Sequence, residues 1–370
     1  MKIKILIAYH KLDYVIKTDC YVPIQLGRSI TEQDSKDGKI SNDDLKILES
    51  SMIGDNTGEN VSTNNRFINE LTAVYWAWKN YNSLGNPDYI GLTHYRRHFI
   101  FKETNIANRE WLPNSNVYVF HNIDDDYLEL INEKHLFSIL GEYDGVISSL
   151  YDLRNLDSKY LSCRERFLEM VGVSGEVFDI AITHILNNFP EYVTDVEKFL
   201  AEPKNYLCNM FVFKKEDFFE YCNFIFSVID HLDKHKDLYA YGDNTQKRAP
   251  GFIAEWLTTI FIYHIQRVKK RNLKTCSLTF LEDTTHPYII KKKSIKQFKY
   301  ALMVLMFSLI QILSFNIVHC RVKRRSYINK LKSSSDGYRQ INSKFAKFIL
   351  RKFSQLQKRA LKIANFFCME

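Results

Sequence analysis

The chain has 370 residues, 45% apolar and 14% aromatic. That is ample for a core in one large domain with an appendage or in two ordinary domains, and it excludes a disordered chain. The net charge of +8 hides two unlike regions: residues 291–370 carry 19 Lys and Arg against only Asp336 and Glu370, a net of +17, whereas the preceding 290 residues carry 32 basic and 41 acidic groups, a net of −9.

The opening MKIKILIAYHK has too short an apolar run for a signal peptide and reads as a strand over 2–9, so synthesis is expected to end on the cytoplasmic side. His10 follows that strand directly. Residues 28–60 are polar and lack a regular pattern, which predicts a long surface loop. Within and after it, DNTGENVS (55–62) is a turn signal. It is either a well-made turn before a helix, or a set of side chains and amides that could hold an anionic or hydroxylated ligand.

In NRFINELTAVYWAWKNY, Phe67, Ile68, Leu71, Val74, Tyr75 and Trp78 recur at helical spacing, with Asn64 or Asn65 as cap. The next stretch, PDYIGLTHYRRHF, begins as a buried strand (88–93) and ends in His94, Arg96, Arg97 and His98. Two adjacent arginines on an extended backbone point to opposite faces. At most one enters a given pocket. A guanidinium suits a diphosphate because it is always charged and engages two oxygens at once; the alternative is a strand end held by surface carboxylates.

Further strands are expected at 144–147 and 210–213, and helices at about 124–140, 161–188, 215–233 and 250–267. Asp124 and Asp126 are a weak metal alternative, since aspartates ahead of a helical pattern are more often caps. Asn209, before MFVF, is either a strand cap or a partner for a sugar hydroxyl. Glu255, in GFIAEWL, sits among apolar residues, where burial would raise its pKa toward that of a general base; the alternative is a first-turn glutamate favoured by the helix dipole. His184, His231, His235 and His264 read as structural. The seven scattered cysteines form no zinc or disulfide pattern and read as reduced thiols.

After residue 290 comes KKKSIKQFKY, then the apolar run 301–318, then a basic helical pattern with Phe345, Phe348, Phe353 and Leu356 on one face. Basic clusters on both sides of the run favour a helix in the membrane interface followed by a basic amphipathic helix on anionic lipid, over a true span or a partner-binding pair. The expected division is a domain over 1–290 and a membrane-associating tail over 291–370.

Short strands alternating with helices predict an α/β domain with a mainly parallel sheet, whose ligands lie beyond the carboxyl ends of the strands. His94, Arg96 and Arg97 fall at such an end.

Together, DNTGENVS, ELTAVYWAWKN, YIGLTHYRRHF, NMFVFKKEDF and GFIAEWL resemble, in the same order over roughly residues 2–265, a bacterial family of capsular and exopolysaccharide biosynthesis long described as a domain of unknown function. Its members look like glycosyltransferases. Glu59, Thr93, His98, Ala254 and Trp256 depart from the usual family residues. The resemblance implies a GT-A-like nucleotide-sugar-binding domain. It implies an inverting transferase moving a sugar, with galactose in furanose or pyranose form one option, from a nucleoside diphosphate donor to a lipid-linked acceptor at the cytoplasmic face of the bacterial inner membrane. Glu255 would be the base, with His94, Arg96 and Arg97 on the leaving diphosphate. Asp55, Asn56, Asn60 and His10 would shape the donor pocket, and Asn209 would hold a sugar hydroxyl. Cationic side chains in place of an acidic metal motif imply no divalent metal and no cofactor. The rivals are a sugar-phosphate phosphotransferase and a nucleic-acid-binding protein using the tail; the tail's continuous apolar face argues against nucleic acid.

Overall fold

A computed structural model describes residues 1–31, 40–102 and 104–282, and Met1–Glu282 form one compact unit. The expected boundary at 290, the apolar run 301–318 and the basic tail lie outside the described residues.

In chain order the elements are β1 (Ile3–Tyr9), β2 (Tyr21–Gln25), α1 (Asn42–Ser51), β3 (Ile53–Gly54), α2 (Asn65–Ile68), α3 (Leu71–Lys79), β4 (Tyr89–His94) and β5 (Val117–Phe120). There follow α4 (Asp125–Leu130), α5 (Glu133–Glu142), β6 (Gly145–Ile147), β7 (Leu150–Asp152), α6 (Cys163–Val171), α7 (Gly175–Asn188) and α8 (Val193–Ala201). The unit closes with β8 (Lys204–Tyr206), β9 (Phe211–Lys214), α9 (Lys215–Asp233), α10 (Ala249–Val268), β10 (Leu273–Thr275) and β11 (Leu278–Leu281).

Seven strands form one sheet in the order β10-β6-β9-β4-β1-β2-β3, parallel throughout except that β9 runs against both β4 and β6. The fold is α/β with a mostly parallel sheet, as the alternation of strands and helices predicts. Alternate residues of each strand face opposite layers. Ile3, Ile5, Ile7 and Tyr9 of β1 pack with Leu48, Tyr127 and Leu136 on one side, while Leu6 and Ala8 join α3, α9 and α10 on the other. Both faces are therefore buried, which is why β1, β4 and β9 read as near-continuous apolar runs.

Several expected elements divide. The helix over 161–188 is two, because Gly172 turns left-handed (φ 72) to end α6 and Ser174 caps α7. The one over 124–140 breaks before Asn132, whose side chain caps α5. The polar stretch 28–60 is not all loop: Ser41 accepts the Asp44 amide and starts α1. Periodicity does not register such interruptions, since both halves keep the same apolar spacing.

Candidate active site

Because β9 is antiparallel, its first residues and the last residues of β1 and β4 meet at the carboxyl edge of the sheet, with Phe211 opposite Leu92. The chain enters β9 through Cys208 (φ 73) and Asn209 (φ 49), two successive left-handed residues. Each costs about 1–2 kcal/mol against ordinary backbone, so the turn persists only if its surroundings hold it. They do. His94 Nε2 lies 2.7 Å from the Cys208 carbonyl oxygen, and the Cys208 amide donates to Glu255 Oε1 at 2.8 Å. Asn209 donates to Glu70 Oε1 at 3.2 Å and accepts at Oδ1 from Tyr221 (3.1 Å) and Thr258 (2.8 Å).

Glu255 reaches this turn because α10 begins against the break between α2 and α3. Asn69 is left-handed there (φ 52), and Arg248 donates to its side chain at 2.6 Å. Gly251 makes the approach possible, since a methyl group in its place would collide with the Asn69 amide and the Phe67 carbonyl oxygen. The same break brings Glu70 to the site.

Burial and the Glu70 carboxylate push the Glu255 carboxyl up to about 7, against the opposing pull of the Cys208 amide, Arg97 and Arg248. Glu255 is partly exposed at its surface, but protein surrounds it closely enough for desolvation to dominate. Burial pushes the His94 imidazole below its usual value, partly offset by Glu70. A carbonyl oxygen can only accept, so His94 carries its proton on Nε2 and stays neutral.

A tight turn closes β4, with the His94 amide donating to the Arg97 carbonyl at 3.1 Å and the Arg97 amide returning to His94 at 2.9 Å. The two arginines part there. Arg96 pairs with Asp13, at 2.7 Å. The Arg97 guanidinium lies 5.1 Å from the Trp111 ring and 5.2 Å from Phe280, which stack on each other, and it forms no ion pair among the described residues.

The family model described as a domain of unknown function, DUF4422, matches residues 4–267, spanning Glu70, His94, Arg97, Cys208, Asn209, Arg248 and Glu255. The chain belongs to the DUF4422 family. The WbbM bifunctional glycosyltransferase, solved in its apo form, is similar to this DUF4422 chain at 26% identity with a TM-score of 0.64, over 76% of this chain and 46% of that one. The DUF4422 chain thus spans less than half of that protein. No curated protein matches it.

Within the DUF4422 domain, His94, Arg97, Asn209 and Glu255 come together, joined by Glu70, Arg248 and Cys208, which the sequence reading did not select. Three placements change the roles those residues can take. Arg96 is neutralised by Asp13. His94 is neutral, so the positive charge expected of it falls to Arg97. Asn209 binds internal partners and acts as a strut.

Asp55 is fully buried and accepts from the Gly27 and Arg28 amides and Ser62 Oγ, so it braces its loop. Asn60 donates to the carbonyls of Asn56 and Gly58 within the same turn, and Asn56 is exposed. His10 sits just past β1, edge-on to Tyr95 at 5.0 Å. Asp124 caps α4 through the Tyr127 amide, and Asp126 lies in that helix's first turn. The signal for Glu70 was an acid directly ahead of Leu71 in an apolar helical pattern, and for Arg248 a cation two residues before Pro250 in the first turn of α10.

Proposed function

We propose that this chain is an inverting glycosyltransferase that moves a sugar from a nucleoside diphosphate donor to a hydroxyl of a lipid-linked glycan. One observation carries the reading: at the carboxyl edge of the sheet, a carboxyl held near pH 7 shares a cluster with a guanidinium that has no acidic partner among the described residues. A general base works best with a pKa near the working pH. A diphosphate leaving group calls for fixed positive charge.

Glu255 takes the proton of the acceptor hydroxyl as its oxygen bonds to the anomeric carbon. The bond from that carbon to the diphosphate oxygen breaks on the opposite face, and the pair of electrons leaves with the diphosphate. Arg97 and Arg248 stabilise that charge without a divalent metal. His94 and Cys208 hold Glu255 in place, while His10 and the Asp55–Asn60 turn line the donor side. The similarity to a bifunctional glycosyltransferase supports the reaction class. The basic and apolar composition of 291–370 supports a lipid-linked acceptor at the cytoplasmic face of the inner membrane, in capsule or exopolysaccharide synthesis.

The test is incubation of the full chain with a panel of nucleotide sugars, galactose donors included, and synthetic lipid-linked acceptors. The expected result is one donor giving free nucleoside diphosphate and a product heavier by one sugar. Phosphorylated product without a new glycosidic bond would replace this reading with phosphotransfer.

A further inference from the structure

The Arg97 Nε is buried without a hydrogen-bond partner among the described residues, so the guanidinium is not placed by polar contacts of its own there. What lies on either side of it sets its position. β11 brackets the turn: the Leu281 amide donates to the Arg96 carbonyl oxygen at 2.8 Å, the Thr279 amide donates to the His98 carbonyl oxygen at 2.9 Å, and the His98 amide returns to Thr279 Oγ1 at 2.9 Å. Phe280, between Thr279 and Leu281, turns the opposite way and meets the Arg97 guanidinium. Trp111, the second ring at Arg97, is tied to β5, the partner strand of β11, where its amide donates to the Val117 carbonyl oxygen at 2.7 Å.

Tyr127, from α4, locks this bracket. Its hydroxyl lies 2.7 Å from His98 Nδ1 and 2.8 Å from Thr279 Oγ1, and all three residues are buried. Burial pushes the His98 imidazole down to about 3, so the ring is neutral and puts no second charge beside Arg97.

We infer that His98, Tyr127 and Thr279 are positioning residues for Arg97, which hold its guanidinium in place for the leaving diphosphate. The inference rests on the glycosyltransferase reading and deepens it. A cation with a preset place stabilises developing charge without reorganising, whereas a loose one must first be ordered when the substrate binds. The three side chains are buried behind the turn and act on the diphosphate only through Arg97. Loss of the Tyr127 hydroxyl should therefore matter where Arg97 is present and hardly at all where it is not.

Titration calorimetry on the full chain with inorganic pyrophosphate, UDP and GDP tests the assignment. Tyr127→Phe should weaken pyrophosphate binding fivefold or more in the parent and less than twofold in an Arg97→Gln background. Thr279→Val should do the same and Thr279→Ser should restore affinity, with melting temperatures confirming the fold; the Thr279 pair carries the test if Tyr127→Phe does not fold. Equal losses in both backgrounds, or parent affinity in Tyr127→Phe and Thr279→Val, would reduce the network to core packing. A parent that binds neither pyrophosphate nor a nucleoside diphosphate would also overturn the inference. Glycoside formation with the nucleotide-sugar panel tests the reaction separately: a non-additive cycle without glycoside rejects the transferase reading alone, and glycoside with an additive cycle rejects the positioning role alone.

Discussion

His94 and Glu255 are fixed by a single residue: Cys208 receives the imidazole at its carbonyl oxygen, 2.7 Å away, and offers its amide to the carboxylate at 2.8 Å. The end of β4 and the first turns of α10 are therefore registered against each other through one left-handed residue. The placement of the Glu255 carboxyl depends on strand geometry as much as on the helix that bears it.

Replacement of Glu255 by Gln keeps an oxygen for the Cys208 amide but removes the proton acceptor. Turnover should fall roughly 10²-fold or more while the dissociation constant for the donor, measured by calorimetry, stays within about twofold. Turnover close to that of the parent would reduce Glu255 to a strut for the Cys208 turn.

The acid also sets a pH dependence. Its carboxyl is raised from 4.5 to about 7, so between those values the folded chain holds a proton that the unfolded chain has released. Stability therefore falls as pH rises from about 4.5 to about 7 and stays reduced above. Glu255→Gln should melt higher than the parent at pH 8 and no higher at pH 4. Turnover of the parent should climb with pH and level off above about 7. Glu70→Gln, by removing a neighbouring negative charge, should move that break downward. A break that stays put would separate Glu70 from the base.

The adjacent arginines should behave oppositely. Arg97→Gln removes the cation that has no acidic partner among the described residues and should lower kcat/KM by about 10²-fold, the scale of one lost preorganised charge contact. Arg96→Gln breaks the pair with Asp13 and should cost about 1 kcal/mol in denaturant unfolding, with kcat/KM changed less than about threefold. Equal kinetic losses would contradict the separation of roles at the β4 turn.

Turnover should survive an excess of EDTA, because Arg97 and Arg248 supply the charge proposed for the diphosphate. Loss on chelation with recovery in Mn²⁺ or Mg²⁺ would reject that arrangement.

Removal of everything after Glu282 should leave a folded unit, with cooperative melting and transfer to a water-soluble acceptor analogue, but a lower rate on lipid-linked acceptor in anionic vesicles. A truncated chain that does not fold would end the division between domain and tail.

Strands β1, β4, β6 and β9 were legible because each is a short apolar run buried on both faces. Strand β2 was not, since Pro23 interrupts YVPIQ, and the two residues of β3 give no pattern at all. At the site, His94, Arg97 and Glu255 stood out as polar groups abutting apolar runs, which is visible locally. Glu70 was hidden inside what looked like one continuous helix, and only the break at Asn69 turns it toward the cluster. The opposite fates of Arg96 and Arg97 depend on Asp13, Trp111 and Phe280, partners far away in the chain, and no local pattern encodes them. Asn209 looked available for a ligand because its neighbours in sequence are apolar; its partners Glu70, Tyr221 and Thr258 arrive from three other helical segments.

The reversed direction of β9 has an evolutionary side. β6 ends, and β9 begins, at the same edge of the sheet, so the whole excursion from β7 through α6, α7 and α8 to β8 departs from and returns to one rim. Changes in the exposed loops of that segment do not reroute the sheet, and both of its roots lie beside the reacting groups. Its helices, by contrast, are tied to α9 and α10 through Phe167, Phe178 and Phe199 in the shared core, so variation there is confined to the loops while β1, β4 and the arginine turn keep the same geometry.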